Sequence, residues 1–364
     1  EQAAKILAEG DRPQKPDLVV EHERILDRRD VDAVLIATTQ HWHGIPFIQA
    51  AQAGKHIYVE KPFSHTVVEG RAMVEAARRS GVIALMGVQQ RGYPHYLQAS
   101  EILHSGRLGK IALVECWNYE KLGRRVGKSP DADPPVGLHW DRWLGPAPLV
   151  PFNPARLNNS WWFDYGGGML TNWAIHHIDV ILWTMQVTSP TAVGKFVVDD
   201  LADTPDTIEA SWEFPGFVMQ YCYRGFNNFR TIQNRPYNHG ICFHGERATM
   251  VLDRSGYEIW EDRDPAKSVE REDNPRHWGD GKPGNEVDGP WQRLFVDCIK
   301  EGKRPPVELE QSQQATVCCH LANIAYRTGR KLRWDGDREA IIGDGEGAPL
   351  LNRPRRKGYE LPTG

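Results

Sequence analysis

Long hydrophobic runs are missing from this sequence. No stretch approaches the roughly 18 apolar residues that a membrane-spanning helix requires. The amino-terminal stretch EQAAKILAEGDRPQKP has neither the basic start nor the apolar run of a secretory signal. We therefore expect no membrane partner and, for the chain as given, a cytoplasmic location, while a periplasmic one stays open.

An excess of charge of one sign is also missing. Lys and Arg total 44 against 48 Asp and Glu, which gives a net charge of −4. Binding to a phosphate backbone requires a basic surface, so we expect no nucleic-acid partner.

Cysteine is scarce, and its spacing argues against the usual cysteine-based metal sites. The six cysteines form no C-x-x-C pair, and the adjacent Cys318 and Cys319 are poor disulfide partners. Buried, reduced thiols are the expected state.

The part of the chain before residue 111 alternates apolar runs with amphipathic segments. VDAVLIAT (31–38), HIYVE (56–60) and VIALMGV (82–88) have the branched, continuous character of strands covered on both faces. Between the last two, Thr66 and Glu69 form a capping box that opens a helix closed by Gly81. This order predicts a parallel α/β sheet of the Rossmann type with right-handed crossovers.

The following segment changes character. Runs such as IALVECWNY, TIEASWEF, FVMQYCYRGF and ATMVLD alternate apolar and polar residues, as antiparallel strands do. A helix is expected over residues 312–329. We expect an incomplete dinucleotide-binding domain over residues 1–110, an α+β domain with a large, mainly antiparallel sheet over 111–310, and a helix and tail over 311–364 that pack back between them.

A lysine stands at the carboxyl end of the second buried strand, in YVEKPF. Such a lysine is costly to desolvate and is expected to have a partner or a task, and Pro62 restricts its backbone. A side chain that simply reaches solvent is the alternative. Polar residues also follow the other two strands, at TTQHWH (38–43) and QQR (89–91), where open parallel sheets bind ligands.

The segment GGGMLTNWAIHHID holds the second group of candidates. Helical spacing places Asn172 and His176 on one face, with Asp179 close to it. A neutral imidazole beside an ammonium could take a proton from a substrate hydroxyl. Core histidines, or a metal pair of His176 and His177, are the alternatives, but adjacent helical residues diverge by roughly 100° and few other ligands are at hand; we expect no metal. Trp161 and Trp162 could form a wall on which a sugar stacks.

Several motifs in this order resemble the Gfo/Idh/MocA oxidoreductases, the glucose-fructose oxidoreductase and inositol dehydrogenase family. They are VLIATTQHWH, YVEKPFSHTVVEG, GVQQR, SGRLGK, WLGPAP, GGGMLTNWAIHHID and CCHLANIAYRTGRKLRWD. The resemblance implies NAD or NADP as cofactor and catalytic roles for Lys61, His176 and Asn172. It also implies a cofactor cleft lined by Thr38, Thr39, His43, Glu60, Lys61 and Gln89.

Two features depart from the family pattern. Position 172 is Asn, where the family usually has Asp. An Asn at this position resembles the exported, twin-arginine-type members of the family. Family members begin with a strand and a G-x-G-x-x-G turn, which holds the pyrophosphate in such domains, and no such turn precedes the first predicted strand of this sequence. We expect that the natural protein has a further amino-terminal segment that carries it.

The resemblance implies an NAD(P)-dependent oxidoreductase that acts on a secondary alcohol of a sugar, glycoside or cyclic polyol. Substrate contacts are expected from Arg91, Arg156, Asp164 and His177, and a homo-oligomer is expected through the open face of the large sheet. One alternative is a glycoside-cleaving enzyme that oxidises its sugar transiently before an elimination. Another is a non-catalytic carbohydrate-binding relative.

Overall fold

A computed structural model describes most of the chain. The described residues are 15–119, 126–185, 191–195, 201–226, 238–264, 268–274 and 289–363.

The first sheet is parallel and has the strand order β1-β2-β3. Its strands are Ala33–Ile36 (β1), His56–Val59 (β2) and Ala84–Met86 (β3). The helices of this part of the chain are Glu23–Leu26 (α1), Gly44–Gln52 (α2), Val67–Ser80 (α3) and Pro94–His104 (α4). The predicted parallel sheet is confirmed.

Strand β1 departs from the expectation of a strand covered on both faces. It forms an edge of the described sheet, and Leu35 on it is 61% exposed. On the other face of the strand, Ile36 is 5% exposed.

Helix α3 begins at the predicted cap. The Thr66 hydroxyl accepts a hydrogen bond from the Glu69 backbone N–H at 3.2 Å, and Gly81 ends the helix in the left-handed region at φ 67°. The Glu69 carboxylate accepts from the His65 N–H at 3.0 Å, so the reciprocal half of the capping box reaches one residue further back than predicted.

The second sheet has eight strands in the order β11-β10-β9-β8-β4-β7-β6-β5. They are Ile111–Tyr119 (β4), Thr191–Lys195 (β5), Thr207–Phe214 (β6), Phe217–Arg224 (β7), His239–Gly245 (β8), Ala248–Asp253 (β9), Gly256–Glu261 (β10) and Ser268–Asp273 (β11). All neighbours are antiparallel except β4 and β7. A parallel pair needs a long crossover connection, and the chain between these two strands supplies one.

Four further α-helices and a short hairpin also belong to the described chain. They are Trp140–Leu144 (α5), Ile175–Met185 (α6), Gly289–Glu301 (α7), Leu309–Thr328 (α8), and the strands Trp334–Asp335 (β12) and Ala340–Ile341 (β13). No described helix has the length and apolar character to cross a membrane.

Helix α8 contacts both sheets. The Trp212 indole on β6 donates to the Cys318 carbonyl at 3.3 Å, and the Phe63 N–H beyond β2 donates to the Thr316 hydroxyl at 3.2 Å. The helix therefore fixes the carboxyl end of β2 against the inner face of the large sheet. The domain limits at residues 110 and 310 stay a prediction.

All six cysteines are free thiols, and five are buried. Burial raises the pKa of Cys318 to about 12. This confirms the prediction of reduced core thiols.

Candidate active site

The segment that carries His176 enters its helix through a wide turn. Gly168 has φ 63°, and a Cβ there would lie 2.8 Å from the Thr204 Cβ, so glycine is required. Leu170–Ala174 then form a π-helical turn that leads directly into α6. Single π turns recur at functional sites because they re-aim side chains and release backbone groups from the regular helical ladder.

Lys61 lies at the carboxyl end of β2 and reaches this turn. Its Nζ donates to the Asn172 carbonyl oxygen at 2.7 Å and to the Asn172 Oδ1 at 2.9 Å. An ammonium has three N–H donors, so one remains for a ligand. Burial lowers the pKa of Lys61 to about 8, and the peptide bond to Pro62 is cis.

His176 stands beside Lys61 and is 8% exposed. Burial holds its pKa well below the ordinary value, and the nearby Lys61 and Arg254 act in the same direction. Its imidazole is therefore neutral near pH 7 and can accept a proton, as proton transfer from a hydroxyl requires.

These groups line one cleft of about 290 Å³. Its lining residues are Glu60, Lys61, Gln89, Gln90, Tyr93, Asn172, Trp173, His176 and Arg254. The structure thus brings together Lys61, His176, Asn172, Glu60 and Gln89, five of the residues singled out in the sequence. At one end, the Gln89 amide lies 3.5 Å from the Glu60 carboxylate and 3.3 Å from the Tyr58 hydroxyl.

Sequence reasoning missed Arg254 and Trp173. Arg254 lies in the turn between β9 and β10, and its Cζ is 4.9 Å from the centre of the Trp173 ring. No motif marks this arginine, since the hairpin that carries it is remote in sequence from Lys61. Trp173 could have been suspected from its place next to Asn172.

Thr38, Thr39 and His43 lie at the carboxyl end of β1. The two threonines line a separate, mainly apolar cavity of about 460 Å³ with Ile36, Trp42 and Pro46 among its walls. His43 is buried, with one ring nitrogen 2.8 Å from the Pro62 carbonyl and the other 3.2 Å from the Thr38 carbonyl. It therefore ties the ends of β1 and β2 together and makes its ring contacts within the protein.

Arg91 does not line the cleft. Its Nε and Nη2 each donate to the Asp179 carboxylate at 2.7 Å, and its Nη1 donates to the Gln311 amide oxygen at 3.1 Å. His177 is not among the residues that line the cleft; it is 1% exposed, and its two ring nitrogens have no hydrogen-bond partner among the described atoms.

Arg156 and Asp164 lie in another cluster. Arg156 donates to the Tyr165 hydroxyl at 3.0 Å and stacks over Trp162 at 4.6 Å. The Asp164 carbonyl accepts from Arg353 at 3.2 Å. These residues, and Trp161, are not among those that line the cleft, so this arrangement supports neither the predicted substrate contacts nor the predicted sugar wall.

The groups at the strand ends fit a nicotinamide nucleotide. In the cleft, Glu60 and Gln89 offer an acceptor and a donor for the carboxamide of the nucleotide. The separate apolar cavity, with the Thr38 and Thr39 hydroxyls, suits an aromatic ring of the nucleotide and the ribose attached to that ring. For a metal the donor set is poor: across the described ranges, no group of three His, Cys, Asp or Glu side chains is placed to hold an ion.

A Rossmann-type sheet whose polar strand ends face a large mixed sheet is typical of two-domain dinucleotide-binding proteins. Two family models match this chain: "Oxidoreductase family, NAD-binding Rossmann fold" over residues 2–88, and "GFO/IDH/MocA C-terminal domain" over residues 138–251. The chain belongs to the Gfo/Idh/MocA oxidoreductase family, as its motifs indicated.

Curated relatives include sugar and polyol enzymes. Scyllo-inositol 2-dehydrogenase (NAD(+)) of Bacillus subtilis is 37% identical over 219 residues, which cover 60% of this chain and 53% of the relative. The 1,5-anhydro-D-fructose reductase of Ensifer adhaerens is 34% identical over 186 residues, which cover 49% of this chain and 47% of the relative. The chain thus spans about half the length of these relatives.

Solved structures share the fold. Levoglucosan dehydrogenase in complex with NADH has a TM-score of 0.62 at 20% identity, covering 85% of this chain and 81% of that one. Aldose-aldose oxidoreductase from Caulobacter crescentus, complexed with glycerol, has a TM-score of 0.61 at 21% identity and covers the same shares, 85% and 81%. At this identity the likeness concerns the fold alone.

Proposed function

We propose that this protein is an NAD(P)-dependent oxidoreductase that oxidises a secondary alcohol of a sugar, glycoside or cyclic polyol, or reduces the matching ketone. The observation that carries the proposal is the Lys61 ammonium, held by two acceptors of Asn172 beside the neutral His176 in one cleft. The named activities of the relatives support the same reaction class.

Each residue has a distinct task. The N–H of Lys61 that is not bonded to Asn172 donates to the reacting oxygen and stabilises its negative charge as the proton leaves. His176 takes that proton. Asn172 holds Lys61 in place, and the Glu60 and Gln89 side chains would hold the carboxamide of NAD or NADP. When bound, the nicotinamide supplies hydride chemistry.

Arg91 takes a positioning role in this proposal in place of the predicted substrate contact. Its partner Asp179 lies three residues after His176 on α6, so the ion pair fixes that helix against the turn after β3. The predicted cofactor roles of Thr38 and Thr39 are retained through the apolar cavity beside β1, whereas His43 takes a positioning role through its contacts with the Pro62 and Thr38 carbonyls.

We further propose a homo-oligomer that uses the outer face of the large sheet. That face has an apolar cluster of Trp117, Tyr119, Cys242 and Val251, whose residues are 3–7% exposed in the single chain, and Val218 on β7 is 37% exposed. Light scattering on the full chain tests this: a single-subunit mass at micromolar concentration would contradict it.

A titration with NAD+ and NADP+, followed by quenching of tryptophan fluorescence, tests the function. We expect micromolar binding of one of them, and then nucleotide reduction with a polyol or sugar from a screen. Binding with no turnover by any secondary alcohol would contradict the dehydrogenase proposal.

A further inference from the structure

Arg254 is held rigidly at the wall of the cleft. It is 4% exposed, and its backbone carbonyl accepts from the Asn274 amide at 3.0 Å. With the Gln90 amide turned so that its oxygen faces the guanidinium, Nε and Nη2 donate to that oxygen at 3.1 and 3.2 Å. The guanidinium also stacks on Trp173. A cation fixed in this way needs little reorganisation to bind a ligand.

The cleft has an excess of positive charge. Lys61 and Arg254 both line it, and Glu60 is the only carboxylate among its described lining residues. Glu60 lies beside Gln89, at the end assigned above to the cofactor. An oxidised nicotinamide would add a further positive charge, so the field favours a substrate that has a negative group.

Polar groups continue behind this wall. Asn118 on β4 pairs in register with His239 on β8, and the His239 ring lies 4.9 Å from Trp173 and 5.6 Å from His177. The Asn118 side-chain amide is 1% exposed and has no hydrogen-bond partner among the described atoms. His239 and Asn118 thus place polar side chains behind Trp173, the residue on which Arg254 stacks.

We propose that the substrate is a sugar or polyol with a carboxylate, such as an aldonate or a uronate, and that the Arg254 guanidinium holds this carboxylate while the reacting hydroxyl lies at Lys61 and His176. A guanidinium forms charge-assisted hydrogen bonds with a carboxylate, and these are stronger than its hydrogen bonds with a neutral hydroxyl. This inference rests on the proposed function, because it assigns the substrate of the same site.

Calorimetric titration of the full chain with matched ligand pairs tests it. The pairs are D-galacturonate with D-galactose, and D-gluconate with D-glucitol. We expect at least one acid to bind about tenfold or more tightly than its neutral partner, as a charge-assisted hydrogen-bonded pair implies. Arg254→Gln should remove this preference, and Arg254→Lys should restore part of it.

Arg327→Gln is the matched control, because this exposed arginine stacks over Phe163 outside the cleft; it should leave every affinity unchanged. Three results would overturn the inference. The first is equal binding of acids and neutral partners, and the second is no binding of either acid. The third is equal weakening of acid and neutral binding by Arg254→Gln in a chain that keeps its circular dichroism.

Parallel assays of nucleotide reduction separate the two proposals. Turnover of a neutral polyol with no preference for acids would overturn the inference alone. Tight acid binding with no turnover of acids or neutral polyols would overturn the proposed function alone.

Discussion

Arg91 and Asp179 form a two-pronged ion pair in which the side chains are 3% and 1% exposed. The pair joins the turn after β3, which also supplies Gln89 and Gln90 to the cleft, to the helix that carries His176. A buried pair of this kind contributes little net stability, but removing one partner leaves an uncompensated charge.

Arg91→Met should therefore lower the free energy of unfolding by about 3–5 kcal/mol, as measured by urea denaturation. Arg91→Met with Asp179→Leu should recover most of that loss. The control is Arg293→Met, which breaks an exposed pair with Asp297 and should cost less than about 1 kcal/mol. An equally large loss in the double variant would show that the charges are not the cause.

Lys61→Met removes the ammonium while keeping much of the side-chain volume. We expect kcat to fall by about 10²-fold or more, because both the oxygen donor and its charge are lost. Nucleotide affinity, followed by tryptophan fluorescence, should change far less. An unchanged kcat would show that Lys61 has no chemical role.

Asn172→Asp places a carboxylate where the Oδ1 acceptor lies 2.9 Å from Lys61 Nζ. An opposite charge favours the ammonium, so the pKa of Lys61 should rise above its present value of about 8. If the protonated lysine is the active form, activity declines as the pH rises through this pKa. The alkaline limb of the kcat/KM profile should then move to higher pH by about one pH unit or more. A limb that stays at the same pH would contradict the assignment of this limb to Lys61.

Buried histidines should make the fold sensitive to acid. Burial lowers the pKa of His41 to about 3 and that of His320 to about 4, whereas an unfolded histidine titrates near pH 6.5. The unfolded state therefore binds more protons below pH 6.5, and the free energy of unfolding should fall by up to about 1.4 kcal/mol per pH unit for each such residue. Above pH 6.5 neither state is protonated at these sites, so this effect disappears.

Urea denaturation between pH 7.5 and 4.5 measures this slope. His320→Gln, which can keep a donor toward the Ser64 carbonyl at 3.1 Å, should make the slope shallower. His139→Gln on the surface should leave it as it is. The same slope in all three proteins would assign the acid sensitivity to other groups.

Some residues of this site could be predicted from the sequence, and others could not. Lys61 and His176 were predictable because each belongs to a local pattern, a polar end on an apolar strand and a four-residue helical spacing. Arg254 was not, because the hairpin β9–β10 brings it to the cleft through pairing with distant strands. Arg156 and Asp164 are polar residues near a glycine run, but Arg156 contacts Tyr165 and Trp162 outside the lining of the cleft, which only the packing could show.

The π-helical turn has a bearing on how this site tolerates change over evolution. Lys61 binds both the side chain and the backbone carbonyl of Asn172, the latter at 2.7 Å. Every amino acid has that carbonyl, so a substitution at position 172 can change the pKa of Lys61 while the hydrogen bond to the backbone is kept. A lineage could thus exchange Asp and Asn there through viable intermediates, whereas altering the turn itself would remove the anchor in a single step.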